Sequence, residues 1–230
     1  MRRALLGALL LVSTLLSPTV AAQPARPIPD PAWYRPVPDE AGFVFPVARS
    51  NFFSAMHFGD GWRDPRFRFI DGRWQLVGVH LGIDIVAEKG TPILAAVGGT
   101  VEKVGWTFYS GTRVGIRGSD GRYYLYAHLS EVAAGIGPGA SVDAGDLLGR
   151  VGNTGYGELG HEDEFVPHLH FGIEGPSDWE NPYPALVSAY AAAVAAGRAG
   201  EERLLALAND PEAWRAEADA LFTTFGIPLP

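Results

Sequence analysis

The sequence predicts a mainly β, antiparallel fold with a helical C-terminal extension, and three observations carry that expectation. Between residues 43 and 175, short runs rich in β-branched and aromatic residues alternate with Gly, Asp and Asn turns. No segment in that stretch repeats apolar residues at the 3.6-residue period of a helix. After Pro184 the composition shifts to alanine and other helix formers. Many short strands at this spacing suggest a sandwich or barrel. A length of 230 residues suits one main domain with appendages, and 29 Gly with 18 Pro fit a turn-rich β protein.

At the start of the chain, Arg2 and Arg3 precede the apolar run Ala4–Leu16, and the small residues Val20, Ala21 and Ala22 follow. This pattern predicts a secretory signal peptide over residues 1–22, cut after Ala22 and directing export to the periplasm, cell envelope or exterior. The competing reading is an uncleaved N-terminal anchor, although the run falls short of the ~20 apolar residues a membrane span needs. Cleavage leaves 16 basic against 26 acidic residues, a net charge of −10. An acidic chain without basic clusters argues against nucleic acid or anionic membranes as partners. There is no cysteine, which excludes disulfides and removes thiolate from the possible metal ligands.

Residues 23–42 carry Pro24, Pro27, Pro29, Pro31, Pro36 and Pro38 and read as an extended linker or arm. The strand-type runs then follow in order: Phe43–Val47, Phe67–Ile70, Trp74–Val79, Ile83–Val86, Ile93–Val97, Thr100–Gly105, Arg113–Ile116, Arg122–Ala127, Leu147–Val151 and His168–Ile173. Asp71-Gly72, Gly98-Gly99 and Asp120-Gly121 mark tight turns between them. The main domain is expected over 43–186 and the helical extension over 187–230. In the tail, Ala185–Ala196 and Glu201–Ala208 are helix-forming, and Asp210 is a good N-cap with Pro211 at the first helical position. That last helix would reach about Phe222, with Trp214 and Leu221 on one face, giving two or three short helices packed on the β domain.

The chemistry-bearing residues fall in three short apolar segments. Val79-His-Leu-Gly-Ile-Asp84 holds His80 and Asp84, Tyr126-Ala-His-Leu129 holds His128, and Pro167-His-Leu-His-Phe171 holds His168 and His170. Four of the six histidines thus join one aspartate. Neutral imidazole and carboxylate are good Zn²⁺ ligands, and a catalytic zinc keeps three protein ligands and one open position. Taken together these segments imply a zinc hydrolase. His168 and His170 are two apart in a strand, so they share a face with Cα atoms ~6.6 Å apart and can line one pocket without sharing one metal. Such a strand can give one histidine to a metal and leave the other at the substrate. His80 and Asp84 would stand ~13 Å apart if fully extended, too far for one ion. A bend at Gly82 is therefore predicted, since glycine accepts backbone angles that other residues avoid.

These residues carry a resemblance. The ordered set His80-Leu-Gly-Ile-Asp84, Gly90-Thr-Pro-Ile, Ala95-Ala-Val-Gly-Gly-Thr-Val, Tyr124-Leu-Tyr-Ala-His128, Val142-Asp-Ala-Gly-Asp-Leu-Leu-Gly, Val151-Gly-Asn-Thr-Gly155, Pro167-His-Leu-His-Phe171 and Asn181-Pro-Tyr-Pro184 resembles the lysostaphin-type zinc metallopeptidases. These are peptidoglycan endopeptidases, and the likeness covers about residues 43–186. It implies an antiparallel β fold with a groove, Zn²⁺ held by His80, Asp84 and His170, and a catalytic pair in His128 and His168. It also implies peptidoglycan peptides, in cross-links or stems, as the substrate.

The chain departs from that pattern at Tyr156–Val166, an insertion before the His-x-His strand that carries His161, Glu162, Asp163 and Glu164. It reads as a solvated acidic loop bordering the groove. His57 is expected in an ordinary loop. Two other function classes fit the sequence less well. A non-catalytic wall-binding relative that activates an amidase would typically have lost site residues, and all five are intact here. A biotinyl or lipoyl carrier resembles the Gly-Thr-Pro-Ile and Val-x-x-Gly-Asp-x-Leu-Gly runs, but neither Lys89 nor Lys103 sits in a carrier-type hairpin.

Overall fold

A computed structural model describes residues 37–48, 56–206, 210–213 and 215–216, with the side chains of 196–206 outside that description. The predicted signal peptide, the proline-rich arm before residue 37, and Trp214 and Leu221 lie outside the described residues. The strands are β1 (Pro65–Ile70), β2 (Arg73–Val79), β3 (Ile83–Val86), β4 (Pro92–Leu94), β5 (Gly99–Thr107), β6 (Gly111–Gly118), β7 (Tyr123–Val132), β8 (Ser141–Val142), β9 (Leu147–Val151), β10 (His168–Glu174) and β11 (Trp179–Glu180). The helix α1 (Tyr183–Ala206) follows. Every strand pairing is antiparallel.

Nine strands form one sheet in the order β11-β10-β7-β6-β5-β8, with β3 on β10, β9 on β7 and β4 on β9. The ladder β3-β10-β7 positions the site, and β7 changes partner along its length. As far as Ala127 it pairs with β10, and from Leu129 it pairs with β9. Side chains from the strands interlock beneath this ladder. Phe171 of β10 meets Tyr126 of β7 edge to face at 5.2 Å, both fully buried. The Tyr126 hydroxyl accepts the Ala96 N–H at 2.7 Å, so this buried polar atom is satisfied.

Phe43–Val47, expected as a strand, is not one. It runs beside β4 through Val44 N–H to Ala96 O and Leu94 N–H to Pro46 O, both at 2.9 Å, and a single bridge at Val47. Pro46 and Pro92 have no N–H to give, so a regular ladder cannot form there. Two-residue strands β8 and β11 are too short to leave a periodic signal.

Strands β1 and β2 form a separate hairpin closed by Asp71 (φ 51°) and Gly72 (φ 77°). Positive φ at both turn positions matches the twist of the strands, as the Asp-Gly pair requires. The hairpin is anchored at its base: Arg63 N–H donates to His80 O at 2.8 Å, and His80 N–H donates to Asp64 O at 2.9 Å. Phe67, Phe69, Trp74 and Leu76 occupy one exposed face. Arg66 and Arg68 lie on the other, by the two-residue period of a strand.

Over residues 183–206 the two expected runs, Ala185–Ala196 and the start of Glu201–Ala208, form one helix, since α1 runs through Gly197 and Gly200. Each glycine costs about 1 kcal/mol relative to alanine, which the surrounding alanines tolerate. Asn181 Oδ1 accepts the Tyr183 N–H at 2.9 Å and starts the helix. Leu186, Ala189 and Ala193 form its buried stripe, and Tyr190 packs on Phe45 and Phe58. Further on, Asp210 Oδ1 accepts the Ala213 N–H at 3.0 Å, the expected cap.

Candidate metal and catalytic site

Asp84 of β3 lies directly opposite His170 of β10 in the ladder. His80 comes from the segment that joins β2 to β3, where the chain bends at Gly82. The bend is as predicted, but glycine serves it differently. A Cβ at Gly82 would lie 2.6 Å from His170 Cε1 and from Phe171 O, so the residue is needed to admit the His170 ring. His80 Nε2, Asp84 Oδ1 and His170 Nδ1 converge at mutual separations of 2.9 to 3.0 Å. Among the described residues this is the one group of three His or acidic side chains close enough to share an ion.

The donor chemistry fits Zn²⁺. His80 Nδ1–H donates to Gly61 O at 3.0 Å, which leaves Nε2 with a lone pair aimed at the other two atoms. Three acceptor-capable atoms this close need shared protons or a cation between them. Two imidazole nitrogens and one carboxylate oxygen, with a backbone carbonyl fixing the far side of one ring, are a common three-residue zinc set. Burial raises the Asp84 pKa, but the His170 and His80 ring nitrogens beside it, and the charge that His170 and His168 carry when protonated, outweigh it and hold the carboxyl well below its ordinary range. Burial lowers the His170 pKa, with the Asp84 carboxylate opposing. Both directions favour deprotonated ligands.

His128 and His168 stand beside this triangle with ring centroids 4.8 Å apart. His128 has φ 67°, uncommon for a residue with a side chain, at a bulge where two residues of β7 oppose one of β6. That bulge turns its ring toward the groove. His128 Nδ1–H donates to Thr154 O at 2.7 Å and His168 Nδ1–H to Val166 O at 2.9 Å, so each ring presents Nε2 to the groove. Burial, then charge on His168 and His170, lower the His128 pKa to about 3, leaving it a neutral proton acceptor at pH 7. His168 Nε2 lies 3.7 Å from Asp84 Oδ1.

All five predicted site residues thus line one groove of about 650 Å³. Tyr109, Tyr156, Phe165, Leu125 and Trp179 form its walls and Arg66 its edge. Phe165 packs on His128 at 4.9 Å and on His168 at 5.1 Å, and Tyr156 stacks on His128 at 5.9 Å. Both aromatics come from the 156–166 insertion, which therefore borders the groove as expected. The acids of that loop are tied down as well as solvated. Lys89 Nζ contacts Glu162 and Asp163 at 3.0 and 3.2 Å, and Asn153 Nδ2 reaches Asp163 and the Phe165 carbonyl. His161 pairs with Glu164 at 3.2 Å and joins no three-residue metal group. His57 lies in a loop, as expected, and its backbone makes one isolated bridge to Val86 on β3.

Sequence reasoning missed Arg66, Tyr109, Phe165 and Trp179 as groove residues. The Arg66-Phe-Arg-Phe69 alternation could have pointed to Arg66, because a strand puts both arginines on one face.

The peptidase family M23 model matches residues 78–182, which hold all five site residues. The L-Ala–D-Glu endopeptidase of Bacillus subtilis (strain 168) is 41% identical over 112 residues, 47% of this chain and 34% of that protein. Lysostaphin of Staphylococcus staphylolyticus is 34% identical over 118 residues, 49% of this chain and 23% of that protein. A crystal structure of a Ruminococcus gnavus ATCC 29149 protein assigned as a glycyl-glycine endopeptidase LytM superposes with a TM-score of 0.54 at 33% identity, covering 70% of this chain and 63% of that one.

This chain carries a peptidase family M23 domain. The antiparallel fold expected from the strand pattern is the fold of its M23 neighbour. The chain spans about a third or less of the two curated relatives named above. The helix beyond Tyr183 follows the M23 match directly.

Proposed function

We propose that this chain is an exported, zinc-dependent endopeptidase that hydrolyses peptide bonds in bacterial peptidoglycan. The observation that carries this reading is the convergence of His80 Nε2, Asp84 Oδ1 and His170 Nδ1 within 3.0 Å, beside two histidines whose Nε2 atoms face the same groove. The peptidase family M23 match over residues 78–182 and the endopeptidase names of the relatives support it. The signal-type N-terminus supports export.

On this reading His80, Asp84 and His170 hold the metal. When bound, the ion supplies Lewis acidity and lowers the pKa of water it binds to ~7. The rest falls to the chain. His128, kept neutral by burial, accepts the proton of the attacking water through Nε2. The histidine pair then carries a proton to the leaving amine and donates hydrogen bonds to the developing oxyanion. The aromatic walls hold the peptide and exclude water from the histidine pair.

The amidase-activator reading lacks support, because every position of the metal set and the histidine pair is filled by a competent side chain. Metal analysis of the purified chain, with digestion of purified peptidoglycan and mass analysis of the products, tests the proposal. Stoichiometric zinc and new amino termini in the wall peptides are expected. A zinc-loaded chain that leaves all cross-links and stems intact while stimulating an amidase would overturn it.

A further inference from the structure

Resting on the endopeptidase reading, we propose that Arg66 forms a carboxylate-binding subsite at the edge of the groove, selecting peptides with a free carboxylate near the bond that is cut. Among the residues lining the groove, Arg66 is the sole permanent cation, in a chain whose net charge is −8. It is placed there by strand geometry. Arg66 and Arg68 share the inner face of β1, while Phe67 and Phe69 point away. The anchored base of the hairpin fixes β1 beside His80.

The guanidinium is only partly used. Nη2 donates to Asp84 Oδ2 at 2.9 Å, and among the described residues its other nitrogens make no hydrogen bond. Its side chain remains 42% exposed, so a ligand can reach it. The planar fork of an arginine matches a carboxylate with two parallel hydrogen bonds, which a single contact to Asp84 does not exhaust. Asp84 spends Oδ1 on the histidine triangle and Oδ2 on Arg66, so a carboxylate bound by the remaining nitrogens lies in the same groove, one carboxylate and one guanidinium away from the triangle. Outside the groove lining, Arg68 lies over the rings of Phe108 and Tyr109 at 5.8 and 5.6 Å. The ligand class is an acidic peptide. Wall stem peptides, which carry free carboxylates, fit it, and neutral oligoglycine does not.

The test compares a soluble muropeptide that has one free stem carboxylate with the same molecule converted there to a carboxamide. Wild type is expected to favour the carboxylate by about 10- to 100-fold in KM, the range for a hydrogen bond to a charged group. Arg66→Gln should bring that ratio close to one, Arg66→Lys should keep part of it, and zinc content should stay stoichiometric in both. Calorimetric binding of the two ligands to the His128→Ala chain, which is expected not to turn them over, gives the same comparison without activity. Equal treatment of the two ligands by wild type overturns the proposal, as does an Arg66→Gln chain that discriminates as wild type does. Loss of zinc with equal decline on both ligands also overturns it, making Arg66 an orienting partner of Asp84 alone. Absence of any cleavage by wild type would instead count against the endopeptidase reading, and the calorimetric ratio would still decide this one.

Discussion

Asp84 and His170 face each other across β3 and β10, with Oδ1 and Nδ1 3.0 Å apart. A ladder register, rather than a loop, therefore sets the distance between two of the proposed ligands. Asp84→Asn removes the negative charge and should lower zinc affinity by at least tenfold, with turnover lost in parallel. His128→Ala should keep stoichiometric zinc and lose turnover by about 100-fold or more, the usual weight of a positioned acid–base group. Metal content by mass spectrometry beside a muropeptide assay separates the two. Equal metal loss in both variants would contradict the division of roles.

Gly82→Ala puts a methyl group 2.6 Å from the His170 ring and from the Phe171 carbonyl. The main chain of β10 cannot give way without breaking its ladder, so the His170 ring or the bend must shift. Stability should fall by about 1–3 kcal/mol, as for other overpacked sites, and zinc affinity should fall with it. Denaturant titration with and without added zinc reads both effects. A wild-type zinc affinity would show that the close approach is dispensable.

Phe165→Ala removes the ring that packs on both His128 and His168. Zinc content should hold while kcat drops by about tenfold, because the rings lose the neighbour that fixes their tilt and water enters the groove. Phe165→Leu should recover part of the loss. A change confined to KM would make Phe165 a substrate contact only.

The insertion is held by two kinds of contact, and they should differ in weight. Asn153 is buried and its amide donates to the Phe165 carbonyl, so Asn153→Ala should cost about 1–3 kcal/mol and reproduce part of the Phe165→Ala defect. Lys89 makes exposed ion pairs with Glu162 and Asp163, so Lys89→Ala should leave the melting temperature nearly unchanged. Its effect should instead appear as faster proteolytic nicking within residues 156–166.

Much of this was legible in the sequence because the signals were local. Leu147–Val151 and His168–Ile173 alternate or run apolar over a strand's length, and Asp71-Gly72 encodes its own turn. The five residues that share the groove were legible because each sits in a distinctive apolar segment. What local reading could not supply depended on distant partners. Phe43–Val47 has strand residues, but its neighbour β4 begins with Pro92 and the ladder fails. Gly197 and Gly200 look like breaks, yet the alanine run carries the helix through them. Arg66 and Phe165 became site residues only because the hairpin and the insertion fold back over the groove, a matter of tertiary contact and not of spacing.

Three of the four histidines at the site, His80, His128 and His168, give their Nδ1 protons to main-chain carbonyls, at Gly61, Thr154 and Val166. No side-chain substitution can delete those acceptors, so the tautomers of the site are a property of backbone position and are proof against drift in the neighbouring sequence. They are correspondingly exposed to local unfolding, since any opening of the three segments frees the rings to flip. A cobalt ion substituted at the triangle would therefore serve as an optical gauge of whether His80 and its anchoring loop are in place, well before the chain as a whole melts.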